Sequence, residues 1–342
     1  MATITDVARA AKVSITTVSR VINQPELVQP ETRDRVTEVM RALDYTPNAL
    51  AHGLRSGHVK TIALLVGDIS GPFHGTFAKH VNREGEARGY RVILRDLDQD
   101  VDKLVRVLNE TRASEASGVV IAIANNLDRP DVRAALAAAR GRGLSVIINS
   151  QVVDPQVPAI LPEFDKLAIR ATEVLDEMGI GPILFITGGP EASLARVGSR
   201  GFREAMARSG RDDSSGAILD GRFMVERSRQ AIKDHLAAHP SFHPAPGRPL
   251  GVITQSTRMA VGTMLAGFDL GLSVPGDIAI ICTEELPQAT EFHPELTTLA
   301  IPVDELARCV FDQLLAKEAA QPVTYLEPLL IERGSTPPRS GA

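Results

Sequence analysis

Ile15, Thr16, Ser19 and Arg20 would be gathered on one face by a helical pitch, and together they offer the chemistry of reading nucleic acid. A guanidinium presents a planar fork of donors that matches the paired acceptors of a guanine edge, while Ile15 and Thr16 can touch base edges or a thymine methyl. Ser14, Thr17, Ser19 and Asn23, with Thr3 upstream, are expected phosphate partners, which set register without reading sequence. Elsewhere no catalytic pattern stands out. Gly188 and Gly189, and Gly141 with Gly143, fit neither a dinucleotide fingerprint nor a phosphate loop, and no G-x-S-x-G elbow occurs. No spacing singles out a pair of carboxylates. His239 and His243 are four apart in HPSFHP, but the prolines deny the helix that would align them on a metal. No enzymatic activity, metal or cofactor is therefore expected.

A reading face needs a scaffold. Residues 3–23, TITDVARAAKVSITTVSRVIN, hold two helical patterns around a tight turn. Thr3 and Asp6 have capping-box spacing, and Ile4, Val7, Ala8 and Ala11 then share a face. Ser14 can cap a second helix whose Val18, Val21 and Ile22 point inward. A third helix begins at Pro30, a favoured first position, and is expected to bury Val36, Val39, Met40 and Leu43. The pattern fits a helix-turn-helix, and equally a small helical bundle with an ordinary solvated face.

The chain has 342 residues, 44% of them apolar and 23% charged, which suits a globular protein of two or three domains. No apolar run reaches the roughly 18 residues that span a bilayer, and the N-terminus lacks the order of a secretory signal. Cys282 and Cys309, the only cysteines, lie in apolar segments and read as buried thiols in a reducing cytoplasm. The net charge is −5, yet residues 1–60 carry eight Lys/Arg against six Asp/Glu. A mildly basic head on an acidic body suits local contact with a polyanion.

The run DVARAAKVSITTVSRVIN, followed by ETRDRVTEVMRALDYTPNALAHGLRSG, resembles the head of the lactose-repressor (LacI/GalR) family almost position for position, and the likeness in pattern extends over nearly the whole chain. The resemblance implies a hinge, here about Asn48 to Arg55, that becomes helical on operator DNA and wedges a leucine from each subunit into the minor groove. Leu54 holds that position, Ala51 the paired small one, and Asn48 opens the segment. An apolar wedge unstacks a base step at a cost of a few kcal/mol, offset by the contact that bending adds. Gly53 departs from a good helix former at about 0.5–1 kcal/mol relative to alanine, so the hinge is expected to melt easily off DNA.

From Thr61 onward, short apolar runs (61–69, 90–97, 118–124, 144–150, 182–188, 249–255 and 278–285) alternate with helix-length patterns such as 76–88, 101–113, 163–178, 194–208 and 257–270. Such alternation predicts parallel sheets flanked by helices. The body is too long for one lobe, and breaks at 152–160, 291–302 and 321–328 suit three crossings between two lobes. The resemblance implies the same: a body like that of periplasmic sugar-binding proteins, with a ligand in the cleft beyond the carboxyl ends of the strands. The expected organisation is a helix-turn-helix at 1–46, hinge and linker at 47–60, and an effector and dimerisation domain at 61–342. Its lobes would take about 61–160 plus 292–322, and about 161–291 plus 323–335.

The resemblance also points to cleft residues. DISGPFH (68–74) is similar to the family's D-I-x-NPFF stretch, making Asp68, Ser70 and Phe73 wall candidates, with Ala122 and Asn149 at later strand ends. In LARVGSRGF, Arg196 keeps the first arginine of the family's R-x-R-x-x-GF, but Gly198 replaces the second, the family's principal clamp on sugar hydroxyls. The usual AND reads Gln255, Ser256, Thr257, and GFDD becomes Cys282, Thr283, Glu284, Glu285. The effector set is thus Asp68, Ser70, Phe73, Ala122, Asn149, Arg196, Gln255 and Glu284. Planar bidentate side chains hold sugars, so their loss argues against a simple sugar bound in the usual way. Asp68 and Glu284, facing one cleft, favour a cationic or polyol ligand.

The expected fold class is α/β, an all-α helix-turn-helix head on a two-lobed periplasmic-binding-protein-like body. The expected function is that of a cytoplasmic homodimeric repressor whose partners are double-stranded operator DNA, a small-molecule effector and itself, with no membrane. The tail RGSTPPRSGA shows no heptad repeat and favours a dimer over a tetramer. The alternative is a periplasmic-type small-molecule binding protein without a regulatory role.

Overall fold

A computed structural model describes residues 2–45, 60–149, 151–211, 215–316 and 322–338. The hinge positions Asn48, Ala51, Gly53 and Leu54, and the side chain of Asn23, lie outside the described residues. The chain divides into two compact units, one reaching to Val59 and one starting at Lys60.

Among the described residues the head holds three α-helices, α1 (Ile4–Ala10), α2 (Ile15–Asn23) and α3 (Pro30–Ala42). α1 starts with a capping box. The Thr3 hydroxyl accepts the Asp6 amide at 3.3 Å, and the Asp6 carboxylate accepts the Thr3 amide at 2.9 Å and its hydroxyl at 2.6 Å. Lys12, at φ 52°, turns the chain, and Ser14 caps α2 by accepting the Thr17 amide at 3.1 Å. Val7, Ala8, Ala11, Val18, Val21 and Val36 form the buried centre, with Val39 and Met40 against it. Leu43, expected in that core, is 38% exposed. α3 ends at Ala42, so Leu43 is its cap residue and leaves the helical stripe.

Among the described residues the body holds two six-stranded sheets. The first contains β1 (Thr61–Val66), β2 (Arg91–Asp96), β3 (Gly118–Ala122), β4 (Ser145–Ile148), β5 (Ala159–Pro162) and β11 (Val323–Leu326), all parallel in the order β11-β5-β4-β3-β1-β2. The second contains β6 (Ile183–Thr187), β7 (Gly216–Asp220), β8 (Leu250–Thr254), β9 (Ile278–Cys282), β10 (Thr297–Ala300) and β12 (Leu329–Ile331), in the order β12-β10-β9-β8-β6-β7. Only β12 runs antiparallel among the pairings of these strands. The two orders coincide when β1–β5 are exchanged for β6–β10 and β11 for β12, so the lobes repeat one strand order and differ in the direction of the edge strand.

Helices cover both faces, which is why the central strands read as continuous apolar runs. On the first sheet, α5 (Val101–Glu110) and α6 (Pro130–Gly141) pack one face through Leu104, Leu108, Val132 and Leu136. α4 (Pro72–Ala87) and α11 (Val303–Leu314) pack the other through Phe77, Val81, Val310 and Phe311. On the second, α7 (Phe164–Glu177) and α8 (Ser193–Arg208) bury Leu167, Leu175, Phe202 and Met206. α9 (Val225–Ala238) and α10 (Thr257–Leu270) bury Ile232, Leu236, Met259 and Ala266. Each large apolar side chain so buried contributes about 1.5–3 kcal/mol.

The lobe boundaries differ from the sequence expectation. β10 (297–300) belongs to the second sheet, not the first, and β11 (323–326) to the first, not the second. The chain crosses at the far end of each expected break. Pro302 stands at the start of α11, and Pro328 separates β11 from β12. Prolines withhold the ladder donor, and so the strands end there.

Candidate functional site

In the head, α2 presents a polar face. Ile15 is 41% exposed, Thr16 and Arg20 are exposed, and the Arg20 guanidinium donates to no described residue. Ser14 and Thr17 share a hydroxyl–hydroxyl bond of 2.9 Å at the start of the helix. The position of Thr3 counts against its expected role as a phosphate contact. Its hydroxyl proton goes to Asp6, whose carboxylate stands beside it and would repel a phosphate.

In the body, the strand ends face one cavity of about 170 Å³ between the lobes. The structure brings Asp68, Phe73, Ala122, Asn149, Gln255 and Glu284 into its wall. Two expected members do not line it. Ser70 is exposed and turned onto Asp68, donating its amide at 2.8 Å and its hydroxyl at 2.6 Å to Asp68 Oδ1. Arg196 is exposed on α8 and donates to the Pro190 carbonyl at 3.3 Å, beside a separate recess that includes Arg203 and Asp220. Leu194 is the residue of α8 that lines the cleft, and Arg196, two positions on and about half a turn round, faces away from it. His239 and His243 bond to the carbonyls of His235 and Leu236, each at 3.0 Å.

Sequence reasoning missed several wall residues, among them His74, Gln99, Phe164, Phe223, Ser256 and Arg258. Gln99 and Phe223 have a common origin in the repeat. β2 ends at Asp96 and β7 at Asp220, and each carboxylate accepts the amide two residues on, at 3.1 and 3.2 Å. The next residue pairs, Asp98 with Gln99 and Arg222 with Phe223, all have φ between 50° and 57°. Left-handed non-glycine backbone costs energy and is held where structure demands it. Here it lays Gln99 over Gly67 and Phe223 over Gly188, where no Cβ fits. The signal legible in sequence was a strand-ending Asp three residues before each.

Gln255 takes up the space next to Gly198. A Cβ on Gly198 would lie 2.6 Å from Gln255 Nε2 and 2.9 Å from the Phe185 ring. The Gln255 amide donates to the Leu194 carbonyl at 2.9 Å and accepts the Gly188 amide at 3.2 Å. Asn149, buried, donates to the Ile160 carbonyl at 3.3 Å. The lobes also touch: Ser193 donates its amide at 3.0 Å and its hydroxyl at 3.2 Å to the Ala124 carbonyl.

The charges of the cleft are individually placed. Bonds from Ser70 hold the Asp68 carboxyl below its usual range. Burial pushes the Glu284 carboxyl up, although Glu284 Oε2 accepts the Thr257 amide at 2.7 Å at the start of α10. Arg333 binds Glu285 with two bonds of 2.8 and 3.0 Å. Burial lowers the His74 imidazole, favouring its neutral form, and raises the Cys282 thiol to about 12. Among the described residues, no group of three or more His, Cys, Asp or Glu could hold a metal ion. No helix there is long and apolar enough to cross a membrane.

Residues 3–48 match the family model of bacterial regulatory proteins, lacI family, and residues 172–336 match a periplasmic binding protein-like domain. The ribose operon repressor of Escherichia coli (strain K12) is 30% identical over 98% of this chain and 100% of its own length. Catabolite control protein A of Priestia megaterium is 28% identical over 92% of each chain. Among solved structures, the lac repressor dimer bound to operator and the anti-inducer ONPF superposes with a TM-score of 0.83 at 23% identity, covering 98% of this chain and 99% of that one. A LacI-family regulator from Silicibacter pomeroyi gives a TM-score of 0.75 at 22% identity, covering 98% and 99%.

Proposed function

The chain belongs to the lacI family of bacterial regulatory proteins, and from that premise we propose that it is a cytoplasmic, homodimeric transcription repressor controlled by a small molecule in the interlobe cleft. The observation that carries this reading is the outward face of α2, where Ile15, Thr16 and Arg20, which has no partner among the described residues, stand on a helix capped by Ser14. A second helix held this way suits the major groove, and a dimer would present two of them to an approximately palindromic site. Ser14, Thr17, Ser19 and Asn23 set register on phosphates, and Leu54 from each subunit, with Asn48 and Ala51 forming the hinge, kinks the centre. The relatives named for their roles are repressors and regulators rather than enzymes, which favours a non-catalytic role here.

Control would run through the cleft. A ligand that binds one arrangement of the lobes better than the other changes the spacing of the hinges, and coupling of roughly 1–3 kcal/mol alters occupancy markedly. The Ser193–Ala124 bonds are a contact that such a movement would remake. With Gly198 in place of the clamping arginine, the effector is not a simple sugar held in the usual family manner. Selection of random duplex DNA by the full chain at physiological salt tests the reading. Enrichment of a palindrome with a flexible central step supports it, and enrichment of nothing above background overturns it.

A further inference from the structure

Among the described residues, the anions of the cleft have partners and its guanidinium has none. Asp68 Oδ1 accepts both donors of Ser70, Glu284 accepts the Thr257 amide, and Glu285 is clasped by Arg333. Arg258, in the first turn of α10, lines the same cavity half-buried and donates no hydrogen bond to any described residue. Its charge reaches Asp68 across the cleft without a bond between them. A guanidinium partly removed from water and left unpaired carries a desolvation cost that a matching anion would relieve. Its planar fork fits a carboxylate or a phosphate with two parallel bonds.

This revises the leaning toward a cation that Asp68 and Glu284 suggested in the sequence, because neither carboxylate is left wholly unsatisfied. Asp68 Oδ2 still accepts from no described donor and could take a ligand hydroxyl. The rings of Phe73 and Phe223 give the cavity an apolar wall for the carbon face of such a molecule. We propose that the effector is a hydroxylated organic anion, a carboxylate or a phosphate monoester, whose charged group binds Arg258 and whose hydroxyls face Asp68. This rests on the regulator reading above and names the ligand class of the same cleft.

The chain has no tryptophan, so calorimetric melting of the full-length protein is the suitable readout. Glucose, glucuronate and glucose 6-phosphate form one set, and ribose with ribose 5-phosphate another. In at least one set, an anion raises the melting midpoint of the wild type while its neutral sugar does not. Glucuronate and glucose 6-phosphate separate a carboxylate from a phosphate ligand. Arg258→Gln weakens that binding more than tenfold, and Arg258→Lys, which keeps the charge without the fork, retains part of it. Equal stabilisation by neutral sugar and anion, an unchanged response in Arg258→Gln, or no shift with any anion overturns the proposal. The DNA selection separates this failure from that of the premise. A recovered palindrome with silent anions removes only the ligand class, whereas no recovered DNA removes the regulator reading.

Discussion

Gln255 and Gly198 form a complementary pair: the glutamine amide occupies the volume that any side chain at 198 would need, with its Nε2 only 2.6 Å from the position of a Cβ there. A donor at the end of β8 has thus replaced a donor on α8. Restoring an arginine at 198 alone should therefore not restore a sugar clamp. Gly198→Arg is expected to destabilise the body by about 1–3 kcal/mol through overpacking against Gln255 and Phe185. Gly198→Arg with Gln255→Ala should recover part of that loss. Calorimetric midpoints of the two variants check it, and equal midpoints would remove the pairing.

Glu284 ties stability to pH. Burial raises its folded-state pKa above the ordinary 4.5, so the folded chain binds the proton more tightly than the unfolded chain does. Stability from this group is therefore greatest at low pH, and declines as pH rises from 4.5 through the folded value. In Glu284→Gln the amide oxygen can still accept the Thr257 N–H, and no charge is buried. The midpoint difference between Glu284→Gln and wild type should accordingly grow in favour of glutamine as pH rises over that window. Parallel midpoint curves against pH would show that Glu284 does not titrate this way.

Arg20 is expected to read a base rather than a phosphate. Arg20→Ala should cost about 1–3 kcal/mol of affinity for the selected operator and relax preference at one base pair of each half-site. Binding titrations on the operator and its single-base variants measure this. A uniform loss on every sequence would make Arg20 a phosphate contact.

The parts of the molecule most legible in sequence were those fixed by local chemistry and periodicity. Thr3 with Asp6, Ser14 and Pro30 mark the helix starts of the head, and the apolar runs from 61 to 285 mark the central strands. What escaped was set by partners distant in sequence. β10 and β11 are four-residue strands whose sheet is chosen by the neighbour they pair with, β9 for one and β5 for the other. Gln99 and Phe223 reach the cleft through turns that no family motif marks, and Arg258 lies one residue beyond the motif that opens α10. Arg196 kept its motif position but stands on the side of α8 away from the cavity.

The dimer proposed for this chain needs a face, and α10 offers one. Phe268 is 83% exposed and Leu265, one turn earlier, is 37% exposed, while Asp269 beside them is held on the body by Arg229 and Lys233. A large aromatic side chain so exposed costs solvation unless a partner covers it. Across a twofold axis the gain counts once from each subunit, about 1.5–3 kcal/mol apiece. Phe268→Glu places a charge where the copies would meet, without disturbing the monomer's core. Sedimentation equilibrium should then show a dimer in the wild type and a folded monomer in the variant, with weakened operator binding and a midpoint lowered only by the loss of association. A variant that stays dimeric would place the interface elsewhere, the exposed Ile93 and Leu94 on β2 being the next candidates.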